Sequence, residues 1–92
     1  MRIRWTQHAV SDLTHICDYI RDHDRPAAAR TVAVRIHDAA SSLVQFPSIG
    51  RTGRKSNTRE LVVTRSPFLL VYRIQTNTIE ILRILHGAQR WP

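Results

Sequence analysis

The side chains best equipped for chemistry in this 92-residue chain are its arginines: 13 of the 14 basic residues are Arg, and Lys55 is the only Lys. A guanidinium is a rigid fork of N–H donors that matches the two oxygens of a phosphate or a carboxylate, so several on one surface can grip an anion. Arg51, Arg54, Lys55, Arg59, Arg65, Arg73, Arg83 and Arg90 all fall in the second half of the chain. Arg73, between Tyr72 and Ile74, and Arg83, between Leu82 and Ile84, interrupt apolar runs, where a cation needs a reason to be. His86 lies three residues after Arg83, and imidazole is the side chain best suited to moving a proton near neutral pH. If Arg59, Arg73 and Arg83 held a phosphate while His86 moved a proton, the set would be the equipment of an RNA-cleaving site. The same residues also fit a plainer reading, a solvated basic surface with a histidine hydrogen-bonded at a strand end. Trp91 either stacks on a base or plugs a hydrophobic gap, and the plug is the commoner use of a buried indole.

Other chemistries drop out. Cys17 is the single cysteine, so no disulfide closes within the chain, and no Cys/His spacing fits a zinc site. His8, His15, His23 and His37 lack ligand-like pairing and read as helix-face or surface residues. There is no Walker loop, dinucleotide glycine pattern or Ser/His/Asp order, and no metal or cofactor is implied. No stretch approaches the roughly 18–20 apolar residues of a membrane span, and the N-terminus lacks the apolar region of a signal peptide. A soluble cytoplasmic protein is expected.

The charge is unevenly spread. The whole chain carries +7 with His neutral. Residues 1–46 hold six Arg against five Asp, whereas residues 47–92 hold seven Arg and Lys55 against Glu60 and Glu80, a net +6. The working surface is therefore expected in the second half, facing an anionic partner.

One domain, residues 1–92, must position these groups, because a chain this short cannot divide into two cores. A strand over Arg2 to Trp5 precedes Thr6, a helix N-cap candidate, and Ala9, Leu13, Ile16, Cys17 and Ile20 then recur at helical spacing, predicting a helix over about 7–21. Asp22 to Arg25 offer cap candidates before Pro26. Ala29, Val32, Ile36, Ala40 and Leu43 continue the period to about Gln45, so two antiparallel helices with apolar stripes facing one core are expected. Phe46 to Arg54 breaks all periodicity and reads as a basic loop. Strand-like runs follow at Arg59–Thr64, Phe68–Gln75 and Thr78–Leu85, predicting an antiparallel meander. The fold class is α+β, in the order β-α-α-β-β-β, with the helix hairpin on one face of the sheet. Apolar residues fall on both sides of the strands: Leu61 and Val63 oppose Val62, and Leu82 and Ile84 oppose Ile81 and Leu85. The uncovered sheet face is thus expected to carry apolar surface that a protein partner would bury.

Trp5-Thr6-Gln7-His8-Ala9-Val10-Ser11-Asp12-Leu13, Phe46-Pro47 with Gly50-Arg51, Thr58-Arg59-Glu60-Leu61, Pro67-Phe68 leading into Val71-Tyr72-Arg73, and Ile81-Leu82-Arg83-Ile84-Leu85-His86-Gly87 together resemble the RelE/ParE superfamily of bacterial toxins. The likeness spans nearly the whole chain. It implies the same β-α-α-β-β-β fold and the role of toxin in a type II toxin–antitoxin module, neutralised by an antitoxin that wraps over helices and sheet. RelE-like members cut messenger RNA on the ribosome; ParE-like members poison DNA gyrase. The cleaving branch tends to carry Arg where this chain has Leu69, and a C-terminal tyrosine where this chain has Arg90 and Trp91. Leu85-His86-Gly87 is similar to the ParE branch, which the resemblance therefore favours. Catalytic roles for Arg59, Arg73, Arg83 and His86 belong to the nuclease alternative. Arg51, Arg54, Lys55, Arg65, Arg90 and Trp91 are expected to meet target or antitoxin. The antitoxin is expected to be an acidic, partly disordered chain that folds on binding.

Overall fold

A computed structural model of the chain describes residues 1–87 and 89–91. In order, the elements are β1 (Arg2–Trp5), α1 (Gln7–His23), α2 (Pro26–Gln45), β2 (Arg51–Thr52), β3 (Arg59–Val62), β4 (Phe68–Ile74) and β5 (Thr78–His86). This is the expected α+β succession with one short strand added.

Thr6 begins α1. Its Oγ1 accepts the Ala9 N–H at 3.2 Å and its hydroxyl donates to the Ile81 carbonyl at 2.8 Å, so one side chain caps the helix and ties it to the sheet. The helix runs two residues past the expected end at 21, with basic Arg21 and His23 in the last turn, where the helix dipole favours them. Pro26 opens α2, where its missing N–H leaves no bond unmade. Arg25 holds the cap position without a side-chain bond; the nearby Asp24 accepts the Arg25 N–H at 2.7 Å instead.

The strands form a single sheet in the order β1-β5-β4-β3-β2. β3, β4 and β5 make the expected antiparallel meander, whereas β1 pairs with β5 in parallel, from Arg2 opposite Thr78 to Trp5 opposite Ile81. The long connection that a parallel pair demands is supplied by everything between these two strands. β2 lies inside the segment expected to be a basic loop; two residues are too few to show alternation, and they are held by pairing with β3 and by the grip of Tyr72 on the backbone just before them. The Tyr72 hydroxyl accepts the Gly50 N–H at 2.9 Å and donates to the Pro47 carbonyl at 2.7 Å. A Cβ on Gly50 would come within 2.7 Å of the Tyr72 ring and hydroxyl, so only glycine lets this backbone approach so closely.

A bulge between β4 and β5 decides which way the arginines point. Val71 faces Arg83 but Tyr72 faces Ile81, so Leu82 has no cross-strand partner and the alternation of β5 shifts there. Ile79 and Ile81 before it and Ile84 after it all face the helices, which corrects the strict alternation that would set Ile84 against Ile81. These side chains, with Val63, Leu70 and Tyr72, pack on Ala9, Ile36, Ala40 and Leu43 to make the core. Each fully buried Leu or Ile there contributes about 1.5–3 kcal/mol relative to exposure. Without the bulge Arg83 would point into that core.

Candidate functional site

The sheet face turned away from the helices carries the charge. Arg4, Glu80 and Arg73 lie side by side in register across β1, β5 and β4, and Arg83, Val71, Glu60 and Arg51 do so across β5, β4, β3 and β2. Glu80 accepts from both Arg4 and Arg73, the latter at 2.5 Å. The Arg73 hydrogen bond is the main reason its carboxyl sits below the usual range; partial burial opposes this, and the charges of Arg73 and Arg4 reinforce it. Burial alone would raise the Glu60 carboxyl. The Arg54 backbone N–H at 3.1 Å, the Arg54 Nε at 3.2 Å and the Arg51 guanidinium at 3.1 Å outweigh that and hold it below the usual range.

Arg83 gives Nε and Nη2 to the two oxygens of Asp12 at 2.7 and 3.1 Å, and the Ile84 N–H adds a third bond to the same carboxylate at 2.9 Å. Here β1 has ended and the edge of β5 is open. The carboxylate on α1 thus closes an edge that would otherwise be bare. The chain after β5 then turns back: Gln89 bonds His86 through its N–H and its Oε1, its carbonyl accepts from Arg54, and Trp91 stands over Arg83 with 5.8 Å from guanidinium to ring centre. The tail thus reaches Arg54 through Gln89 and Arg83 through Trp91. Leu69, Val71 and Leu85 are buried on this sheet face, although no helix covers it. The expectation of an uncovered apolar sheet face is corrected here: of its apolar residues, only Val62 is more than half exposed. Apolar exposure lies instead on the helices and the α2–β2 connection, at Tyr19, Val34, Phe46 and Ile49.

The arginines expected to act together are partly brought together. Arg73 and Arg83, with Lys55, Ser56, Thr58, Thr6, His8, Leu82 and Trp91, line one hollow of about 410 Å³. Arg59 sits opposite Tyr72, donates to the Gly50 carbonyl at 2.8 Å, and meets Arg73 only across a second hollow of about 480 Å³. His86 is elsewhere, paired with Phe68 at the far end of β5 and set edge-on to that ring at 6.0 Å. It lies six positions along β5 from Glu80, the neighbour of Arg73, a span of about 20 Å at strand rise. It lines an apolar hollow of about 470 Å³ with His15, Ile16, Tyr19, Ile20, Val32, Pro67 and Phe68.

Arg51 and Arg54 clamp Glu60, while Arg90 is exposed on the tail. Arg65 lies apart from the others, in the β3–β4 turn with φ of 58° and its carbonyl taking the Arg35 guanidinium at 2.9 Å. Sequence reasoning missed Asp12, Glu60 and Glu80 as the partners of these arginines. It also missed the apolar hollow, whose residues come from both helices, the β3–β4 turn, β4 and β5. Among the described residues no three His, Cys, Asp or Glu side chains gather as a metal site, and no helix is long and apolar enough to cross a membrane.

A small sheet under a helix hairpin, with ion-paired arginines on its other face, defines a class that comparison identifies. Residues 3–91 match the family model described as ParE toxin of the type II toxin–antitoxin system, parDE. A Sinorhizobium fredii protein that carries a toxin designation, Y4kP, is 46% identical over 99% of this chain and 93% of its own length. Toxin RelE2 of Caulobacter vibrioides is 39% identical over 96% of this chain and 97% of its own. A solved chromosomal ParDE toxin–antitoxin system from P. aeruginosa superposes with a TM-score of 0.83 at 30% identity, over 91% of this chain and 92% of that one. The chain belongs to the ParE toxin family and is the toxin component of a type II toxin–antitoxin system, with an antitoxin as its partner.

Proposed function

We propose that this toxin stops growth by binding DNA gyrase, that it cleaves no RNA itself, and that an acidic antitoxin encoded beside it neutralises it. One observation carries the reading: His86, the proton-transfer group expected from the sequence, lines the apolar hollow beside Phe68, whereas Arg73 and Arg83, which would hold a phosphate, line a different one. Arg73 and Arg83 are moreover already held by Glu80 and Asp12.

Expression of the chain alone tests this. The expected arrest shows DNA damage and falling DNA synthesis while translation continues, and is relieved by the neighbouring gene. An arrest in which protein synthesis fails first speaks for the other reading, a ribosome-dependent messenger RNA endonuclease. That second reading is favoured by the likeness to a protein named Toxin RelE2 and by the meeting of Lys55, Arg73 and Arg83 in one hollow. New toxin-dependent 5′ ends on translated message would establish it.

A further inference from the structure

The hollow that gathers Lys55, Arg73, Arg83 and the Trp91 indole, with His8 and the hydroxyls of Thr6, Ser56 and Thr58, has no carboxylate in its lining. The Trp91 indole Nε1 is buried and has no hydrogen-bond partner among the described residues, a state that burial makes costly. Arg83 commits Nε and Nη2 to Asp12 and keeps Nη1; Arg73 commits Nε to Glu80 and keeps both terminal nitrogens. Lys55 is in no ion pair among the described residues. What fits is an acceptor that carries negative charge.

We infer that this hollow binds a single carboxylate, the side chain of an Asp or Glu on a protein partner, between the Lys55 ammonium and the Trp91 indole N–H. The ion pairing of the face, not its net charge, favours a carboxylate over a nucleic-acid backbone. Arg4, Arg51, Arg54, Arg73 and Arg83 each already hold Asp12, Glu60 or Glu80, five guanidiniums sharing three carboxylates. A strand of nucleic acid presents one charge per nucleotide and needs a track of cations free to replace its counterions, which ion-paired arginines do not supply. One carboxylate needs only the unpaired ammonium and the orphaned N–H, and the half-buried Trp91 ring offers a wall for its methylenes. The inference rests on the reading that the target is a protein and names the chemistry by which that target is held.

The test follows the two indole N–H signals, from Trp5 and Trp91, in the ¹⁵N-labelled chain, assigned with Trp91→Phe. Four probes are titrated at constant ionic strength: a capped Gly-Glu-Gly peptide, its Gln counterpart, inorganic phosphate and a short single-stranded oligonucleotide. The Trp91 signal is expected to move and saturate with the Glu peptide but not with the Gln peptide, while the Trp5 signal stays in place. Lys55→Ala should weaken that response about fivefold or more, the size of one lost charge-assisted hydrogen bond. No movement, equal movement with the Gln peptide, an unchanged response in Lys55→Ala, or a stronger response to phosphate or oligonucleotide each overturns the inference. None of these readouts involves gyrase. A chain that binds the Glu peptide yet leaves gyrase untouched would sink the target and spare the site.

Discussion

Asp12 on α1 takes the Arg83 fork through both carboxylate oxygens, and 71 residues of sequence separate the two partners. The same carboxylate receives the Ile84 N–H, so a single side chain satisfies a bulged strand and docks the first helix against its open edge. Asp12→Ala removes three hydrogen bonds and leaves a mostly buried guanidinium without its partner. A loss of about 2–3 kcal/mol is expected, below the figure for a fully buried pair because both groups keep some solvent contact. Urea denaturation of the variant measures it; a loss under half a kcal/mol would show the pair to be ornamental.

Acid should unfold the protein through Glu60. Its folded carboxyl lies below the ordinary 4.5, so the stability it lends is present above that value and is lost as the pH falls through the lower, folded value. Denaturation midpoints measured from neutrality downward should therefore begin to fall below about pH 4.5. Glu60→Gln should be less stable at neutral pH and flatter across the acid range. Parallel curves for the two proteins would count against the clamp of Arg51 and Arg54.

Gly50→Ala forces a methyl to within 2.7 Å of the Tyr72 ring and hydroxyl. Displacing that ring should cost about 1–3 kcal/mol. Tyr72→Phe, which gives up the Gly50 and Pro47 hydrogen bonds but keeps the ring, should cost about 1–3 kcal/mol by leaving buried backbone groups unpaired. Thermal unfolding reads both.

Arg65 holds a left-handed φ of 58° without being glycine. Arg65→Gly relieves about 1 kcal/mol of steric cost, partly offset by the greater freedom of glycine in the unfolded chain. A rise of a few degrees in Tm is expected; a fall would mean that the Arg65 side chain contributes more than its backbone strains.

His86→Ala should leave growth arrest intact, because His86 sits by Phe68 in the apolar hollow and away from the arginines. A colony-count comparison after induction, at matched protein levels, checks this. Loss of toxicity in a variant that still folds would return proton transfer to the account.

The helices, the three long strands and the arginine-rich half were legible in the sequence because periodicity and composition act locally. Thr6 as a cap and Pro26 at the start of the second helix were readable for the same reason. The acid partners were not, because Glu60 and Glu80 become neighbours of Arg51 and Arg73 only once strand register is fixed, and Asp12 meets Arg83 only through helix docking. One unpaired residue, Leu82, changed which residues share a face, and period-two reasoning cannot see a bulge. The two-residue β2 was too short to carry a pattern, and the tail that brings Gln89 to Arg54 and Trp91 to Arg83 follows the last periodic element.

Supercoiling of relaxed plasmid by purified gyrase, titrated with the purified toxin, bears most directly on the target. The account predicts inhibition with accumulation of a cleaved gyrase–DNA complex, reversed when the antitoxin is added. Full supercoiling and no cleaved complex, at toxin concentrations that arrest growth, would contradict it.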